Sequence, residues 1–179
     1  MAIVTSTAKT PSLPSRTALA GRLKKGVFAW ERLEKSSHTG YADLYVMPPM
    51  DRALLVKKGA PSHMVGVISK EMDMTKDRFV RIVGLSRATV TRKMANKTDL
   101  SADESERLVG LAKLIGQVET IVKQSGESAG FKPAKWFGEW IVQPAAALGG
   151  RKPEELLDTA DGREAVARLL AQMQSGAYA

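Results

Sequence analysis

The stretch Ser101–Gln124, SADESERLVGLAKLIGQVETIVKQ, constrains the fold more than any other part of the chain. Ser101 followed three residues later by Glu104 is a capping box, in which each side chain satisfies the backbone N–H of the other residue. Asp103, Glu104 and Glu106 crowd the first turns, where unpaired N–H groups carry partial positive charge. Leu108, Leu111, Ile115, Val118 and Val122 then recur at helical spacing. A long helix of about six turns is predicted here.

Most other segments read the same way. MDRALLVKKG ends in Lys57, Lys58 and Gly59, the residue order of a helix C-terminus. Ser62 is placed to cap a helix with Met64, Val65 and Ile68 inward, and Thr75 to begin one that buries Phe79, Ile82 and Val83 before Gly84. Ser86 caps a helix whose Val90 and Met94 point inward at i, i+4. SGESAG after the long helix reads as a joint. Beyond it Pro133 opens a helix carrying Trp136, Phe137 and Trp140, and Pro144 starts a short turn to Leu148 that Gly149 and Gly150 break. Pro153 begins another helix that buries Leu156 and Leu157. Asp161 with Glu164 caps the last helix, where Val166, Leu169, Leu170 and Met173 share a face and Gly176 ends the run. YADLYVMPPM is expected to be a boundary or one extended segment with Leu44 and Val46 on one side, and VFAWERLEK a short helix around Val27, Trp30 and Leu33. The fold class is therefore all-α, with a flexible basic N-terminal arm over 1–45, a helix-turn-helix and dimerisation unit over 46–125, and a small helical unit over 126–179.

Composition narrows the chemistry. The 179 residues include no cysteine and only two histidines, His38 and His63. Disulfides, thiolate metal sites and a cysteine nucleophile are excluded, and histidine-based chemistry has almost no raw material. No apolar run approaches the roughly 20 residues of a membrane span, and the N-terminus lacks the pattern of a secretory signal. Basic, rich in Ser and Thr and free of acids before Glu31, it shares features with a transit peptide and is read as a basic arm of a cytoplasmic protein that orders on binding or hangs free. The net charge of +8 divides unevenly: residues 1–60 carry +6, 61–100 carry +4 and 101–179 carry −2. A basic front and middle suit a polyanion, and the mildly acidic rear suits a different task.

The segment FVRIVGLSRATVTRKM has the anatomy of a helix-turn-helix: an apolar helix, a glycine at the turn, and a capped second helix. If Leu85, Val90 and Met94 face inward, then Arg87, Ala88, Thr91 and Arg92 face outward. Arg87 and Arg92 are the candidates for guanine edges, because a guanidinium donates two hydrogen bonds to O6 and N7. Ser86, Thr89, Lys93 and Lys97 are placed for phosphates, which position a protein without reading sequence.

The rear stretch WFGEWIVQPAAALGGRKPEELLDTADGREAVARLLAQMQSGAYA resembles the C-terminal toxin-binding domain of the Xre/MbcA/ParS antitoxin family. The resemblance rests on Trp140, Pro144, Leu148, Gly149, Gly150, Pro153, Leu156, Leu157, Thr159 and Gly162. It extends forward through LLVKKGAPSHMVGVISKEM, IVGLSRATVTRKM and LSADESERLVGLAKLI, which look like the Xre-type helix-turn-helix of the same family, and so covers about residues 51–179. One departure is Lys93 after Arg92, where family members often carry a second arginine; lysine keeps the charge and loses the bidentate fork.

The resemblance implies an antitoxin of a type II toxin–antitoxin system. Its partners would be a RES-domain toxin that consumes NAD or uses it for ADP-ribosylation, and operator DNA through which the complex represses its own operon. A homodimer within a larger complex is implied as well, since one short helix reads few bases. Trp140, Leu156 and Leu169 are read as core, and the exposed toxin contacts are expected from the tail: Gln174, Ser175, Gly176, Ala177, Tyr178 and Ala179. In that tail Tyr178 could fill a ring slot of the toxin and the carboxylate of Ala179 pair with its basic groups, or the tail could be a frayed end. The rival reading is a stand-alone helix-turn-helix regulator with a C-terminal dimerisation or ligand-sensing domain. An enzyme is not expected. No phosphate loop is present, and Glu154, Glu155 and Asp158 sit where first-turn acids serve the helix dipole. No catalytic, metal or cofactor-binding residue is assigned, and no cofactor is expected.

Overall fold

A computed structural model describes residues 30–31, 40–126 and 129–174. Among these residues, besides the helical pair Trp30 and Glu31, eight helices follow in order: α1 Tyr41–Val46, α2 Pro49–Lys58, α3 Met64–Glu71, α4 Lys76–Val83, α5 Arg87–Ala95, α6 Ala102–Ser125, α7 Pro133–Trp140 and α8 Ala160–Gln174. Two single-turn 3-10 helices, Ala146–Leu148 and Pro153–Leu156, link α7 to α8. The described residues form no strand beyond one isolated bridge between Pro61 and Asp99. None of their helices is long and apolar enough to cross a membrane.

Helix α6 begins as its sequence predicts. The Ser101 hydroxyl accepts the Glu104 N–H at 3.3 Å and Glu104 Oε2 accepts the Ser101 N–H at 2.7 Å. Its buried residues are not confined to one stripe: Leu108, Val109, Leu111, Ala112, Leu114, Ile115, Gly116, Gln117, Val118 and Glu119 are all covered. A helix buried on most sides is wrapped by neighbours. α1, α2, α7 and α8 all pack on it. The apolar cluster is contiguous across the chain, joining Phe79, Val90 and Leu108 to Phe137, Ile141, Leu157, Val166 and Leu170.

The extended segment expected at YADLYV is a helix. Helical spacing puts Tyr41 and Leu44 together on the face toward α6, fully buried, and turns Val46 away to solvent at 66% exposure. A Cβ at Gly116 would collide with the Tyr41 carbonyl oxygen, so glycine sets how closely α1 lies on α6. Glu119 of α6 completes the seat: its Oε2 accepts the Ala42 N–H at 2.9 Å, while its Oε1 holds Lys123 at 2.5 Å. Arg52 of α2 secures the other end, donating to the carbonyls of Leu44 at 3.2 Å and Met47 at 2.6 Å. The Tyr41 hydroxyl donates to the Glu71 carboxylate of α3.

Other local expectations divide. Thr75 caps α4, Ser86 caps α5, and Gly84 between them adopts the left-handed conformation that ends a helix. Ser62 does not cap α3; it is buried, and the helix starts at Met64 behind His63 with no side-chain cap bond. The cap of α8 is Thr159 rather than Asp161, since the Thr159 hydroxyl accepts the Gly162 N–H at 3.0 Å. A Cβ at Gly162 would strike the Leu156 carbonyl oxygen, which accounts for glycine there. Pro153 opens a 3-10 turn in place of a full helix. Leu157 and Leu169 are core as expected, while Leu156 and Trp140 pack at its margin and Phe137 and Ile141 fill the centre. Of the helix expected around Trp30, only Trp30 and Glu31 are described; both are helical and Trp30 is buried. The rest of residues 1–39 lies outside the described residues.

Two consequences can be measured. Gly116→Ala is expected to cost about 1–3 kcal/mol by overpacking, because the obstruction is backbone. Gly66→Ala, whose Cβ would meet Met94 at an ordinary 3.5 Å, is expected to stabilise by up to about 1 kcal/mol through helix propensity. Urea denaturation that ranks the two in the opposite order would remove Gly116 as the seat of α1. The second consequence concerns pH. Burial pushes the Glu71 carboxyl up to about 7, partly offset by the hydrogen bond from Tyr41. A folded-state value above the unfolded one means that Glu71's contribution is complete below the unfolded carboxylate range and lost as pH rises through about 7. Glu71→Gln, which keeps an acceptor for Tyr41, is expected to flatten the fall in Tm between about pH 4.5 and about pH 7; an unchanged fall in the variant assigns it to other groups.

Candidate DNA and toxin interfaces

The outward face of α5 is the one its sequence predicts. Arg87, Ala88, Thr91 and Arg92 are exposed, while Val90 is buried and Met94 packs on the core. Gly84 and the capping hydroxyl of Ser86 set the angle between α4 and α5: Leu85 N–H returns to the Val80 carbonyl at 2.8 Å, and Ser86 Oγ accepts the Thr89 N–H at 3.4 Å. Lys97 follows the end of α5, exposed and in the left-handed region at φ 53°.

Several cations near this face are held by carboxylates. Arg87 Nε meets Asp77 Oδ1 of α4 at 3.1 Å. Lys93 Nζ meets Glu104 Oε2 at 2.6 Å with both side chains largely covered, so its ammonium braces α5 against the start of α6. Burial works to raise the Glu104 carboxyl, but hydrogen bonds from Lys93 and Ser101 outweigh it and hold the group below its ordinary value. That contribution to stability is present above the unfolded carboxylate range and lost as pH falls through the folded value. Arg92, Arg81 and Lys97 make no ion pair among the described residues.

The rear half is bonded to the front along α6. Arg163, buried in α8, grips both oxygens of Glu106 at 2.7 and 2.8 Å and donates to the Leu157 carbonyl at 3.0 Å. Arg107 Nη1 bridges the Gly84 carbonyl at 3.2 Å and the Asp158 carbonyl at 2.9 Å, so the turn of the helix-turn-helix and the segment after Pro153 share one guanidinium. Arg78 of α4 reaches Glu154 at 2.8 Å. Gln117 donates to the Ala167 carbonyl at 2.9 Å, and Gln174 to Gln124 at 3.0 Å. Apart from Arg163 and Leu157, none of these partners was visible in the sequence: they lie 23–76 residues apart, and no periodicity relates them.

Of the six tail residues expected to meet a toxin, Gln174 is exposed at the end of α8. Ser175, Gly176, Ala177, Tyr178 and Ala179 lie outside the described residues. The aromatic residues of α7 form a stack: the Trp136 and Trp140 rings lie nearly parallel with centroids 5.7 Å apart, and Phe137 tilts against Trp140 at 5.9 Å.

Comparison with known proteins adds identity to this geometry. Residues 51–113 match the antitoxin Xre-like helix-turn-helix domain, and residues 129–176 match the antitoxin Xre/MbcA/ParS C-terminal toxin-binding domain. A relative named Prs ADP-ribosylating antitoxin, from Sphingobium sp. (strain YBL2), is 42% identical over 139 residues, covering 78% of this chain and 87% of the relative. The protein named antitoxin Xre of Photorhabdus laumondii subsp. laumondii is 24% identical over 122 residues, 68% of this chain and 77% of its own. Its namesake from Yersinia enterocolitica serotype O:8 is 24% identical over 123 residues, with shares of 69% and 78%. The second match supports the toxin-binding reading of the rear half over a dimerisation or ligand-sensing domain of a stand-alone regulator. The chain belongs to the Xre/MbcA/ParS antitoxin family, an antitoxin of a toxin–antitoxin system that joins a helix-turn-helix to a toxin-binding domain.

Proposed function

We propose that this antitoxin neutralises a RES-domain, NAD-consuming toxin through residues beyond the joint and represses its own operon through α5. The observation that carries the DNA half is the exposed set Arg87, Ala88, Thr91 and Arg92 on a helix capped and angled by Gly84 and Ser86. Arg92 reads a base edge. Ser86, Thr89 and Lys97 take phosphates, while Lys93 keeps its ammonium on Glu104 and holds the helix in place. A homodimer supplies the second reading helix that an operator of two half-sites needs. Val46 and Met50, large apolar residues 66% and 57% exposed where α1 meets α2, are surface suited to that pairing.

For the toxin half, support comes from the toxin-binding match and from the name of the Sphingobium relative, which carries ADP-ribosylation, a reaction whose donor is NAD. A site for a dinucleotide offers a slot for a ring and basic groups for the pyrophosphate. Tyr178, four residues beyond Gln174, enters that slot and blocks it, while the rest of the domain supplies the affinity.

Arg92→Ala is expected to cost about 1–3 kcal/mol on operator DNA and to relax its specificity, whereas Lys97→Ala weakens all sequences alike and lowers the salt slope by about one. Equal losses on operator and random duplexes for Arg92→Ala would strike it from the base-reading set. For the toxin half, Tyr178→Ala is expected to leave the complex assembled, as judged by co-purification, and to restore NAD consumption by the bound toxin. A complex that forms and still spares NAD shows that the body of the domain, not Tyr178, covers the site.

A further inference from the structure

Arg78 is the third residue of α4, the first helix of the helix-turn-helix, and follows Asp77 directly in the chain. Asp77 touches Arg87, the residue that leads α5, at 3.1 Å. In helix-turn-helix proteins the first helix crosses the DNA backbone while the second enters the groove. A cation beside Asp77 therefore stands at the level of the phosphates that flank the groove. Its charge is engaged elsewhere: Arg78 Nη2 donates to Glu154 Oε2 at 2.8 Å. Glu154 belongs to the turn Pro153–Leu156 of the toxin-binding domain. Where that turn faces α4, a cleft of about 560 Å³ is lined by Arg78, Arg81, Ile82, Glu154, Glu155 and Asp158. Arg81, one helical turn beyond Arg78, is exposed at the rim.

The Arg78–Glu154 pair is not what holds the two halves together. Arg163 on Glu106 and Arg107 between Gly84 and Asp158 already do so. Side-chain exposures of 41% for Arg78 and 20% for Glu154 leave the pair within reach of solvent and of a competing anion. An ion pair so placed can be exchanged without unfolding anything.

We propose that Arg78 is a ligand for a DNA backbone phosphate and that Glu154 of the toxin-binding domain withholds it in the unbound chain. The inference rests on the DNA-binding reading above. A phosphate takes the guanidinium in the same two-bond geometry as a carboxylate, so binding replaces one partner of Arg78 with another. A toxin that claims Glu154 releases Arg78 to the DNA, and DNA that claims Arg78 releases Glu154 to the toxin. By linkage, each partner then tightens the other by the same factor.

The test uses the full chain, a duplex of the promoter region directly upstream of its own coding sequence, and a random duplex of equal length, titrated between about 50 and about 200 mM salt. Glu154→Gln is expected to tighten both duplexes, because Arg78 no longer has to leave a carboxylate to reach the phosphate, and Arg78→Ala is expected to make the slope of log affinity against log salt shallower by about one, a change of about 3.5-fold across that range. Adding Arg78→Ala cancels the gain. Glu155→Gln removes the same charge one residue away without touching Arg78 and is expected to leave the affinity for both duplexes unchanged. Melting curves for each variant check that the fold is intact. A Glu155→Gln effect equal to that of Glu154→Gln assigns the gain to the field of the acidic turn and overturns the proposal. So does a Glu154→Gln gain that survives Arg78→Ala. Wild-type protein that holds no promoter DNA overturns the DNA-binding reading and this inference with it; intact binding that is indifferent to Glu154→Gln overturns this inference alone.

Discussion

The Glu104 carboxylate accepts two hydrogen bonds at one oxygen, from the Ser101 N–H at 2.7 Å and from the Lys93 ammonium at 2.6 Å. The first starts α6, the helix on which α1, α2, α7 and α8 all lean. The second ties α5 to that same starting point. Remove the carboxylate and α6 loses its cap while α5 loses its brace, at a place where both groups are too covered for water to replace them well. The position of the exposed arginines of α5 thus depends on a bond made at the end of the central helix.

Around α6 polar contacts to backbone add orientation to the apolar packing. Glu119 seats the start of α1 and Arg52 secures its end. Arg107 satisfies two carbonyls that would otherwise compete for water, one at the helix-turn-helix and one in the toxin-binding domain. Arg163 is buried with a bidentate carboxylate and a carbonyl, the condition under which a guanidinium can leave solvent. The two functional halves therefore meet through oriented bonds as well as through the apolar cluster they share.

Charge is arranged with the same economy. On the helix-turn-helix, Arg78, Arg87 and Lys93 are each ion-paired with a carboxylate, whereas Arg81, Arg92 and Lys97 are not among the described residues. The first three carboxylates come from three different elements: the turn before α8, helix α4 and helix α6. Of these three cations, Arg78 is the one paired with a carboxylate of the toxin-binding domain, and the proposed exchange between DNA and toxin rests on that placement.

What the sequence determined by itself was local. The capping box at Ser101 and Glu104, the caps at Thr75 and Ser86, the left-handed Gly84 and the outward set Arg87, Ala88, Thr91 and Arg92 depend on residues three or four apart, and those relations are printed in the chain. The family pattern from Trp140 to Gly162 was legible for the same reason, as a string of fixed spacings. Tertiary structure decided the rest. YADLYV has too few residues for its period to be told, and became a helix because Gly116 admits its backbone and Glu119 accepts its N–H. Lys93 and Arg92 are adjacent and equally basic in sequence, yet only the position of Glu104 decides that one is a brace and the other remains exposed. Partners such as Arg78 and Glu154, 76 residues apart, carry no mark of each other; a charge pair across that distance exists only once the packing of α6 has brought its two owners together.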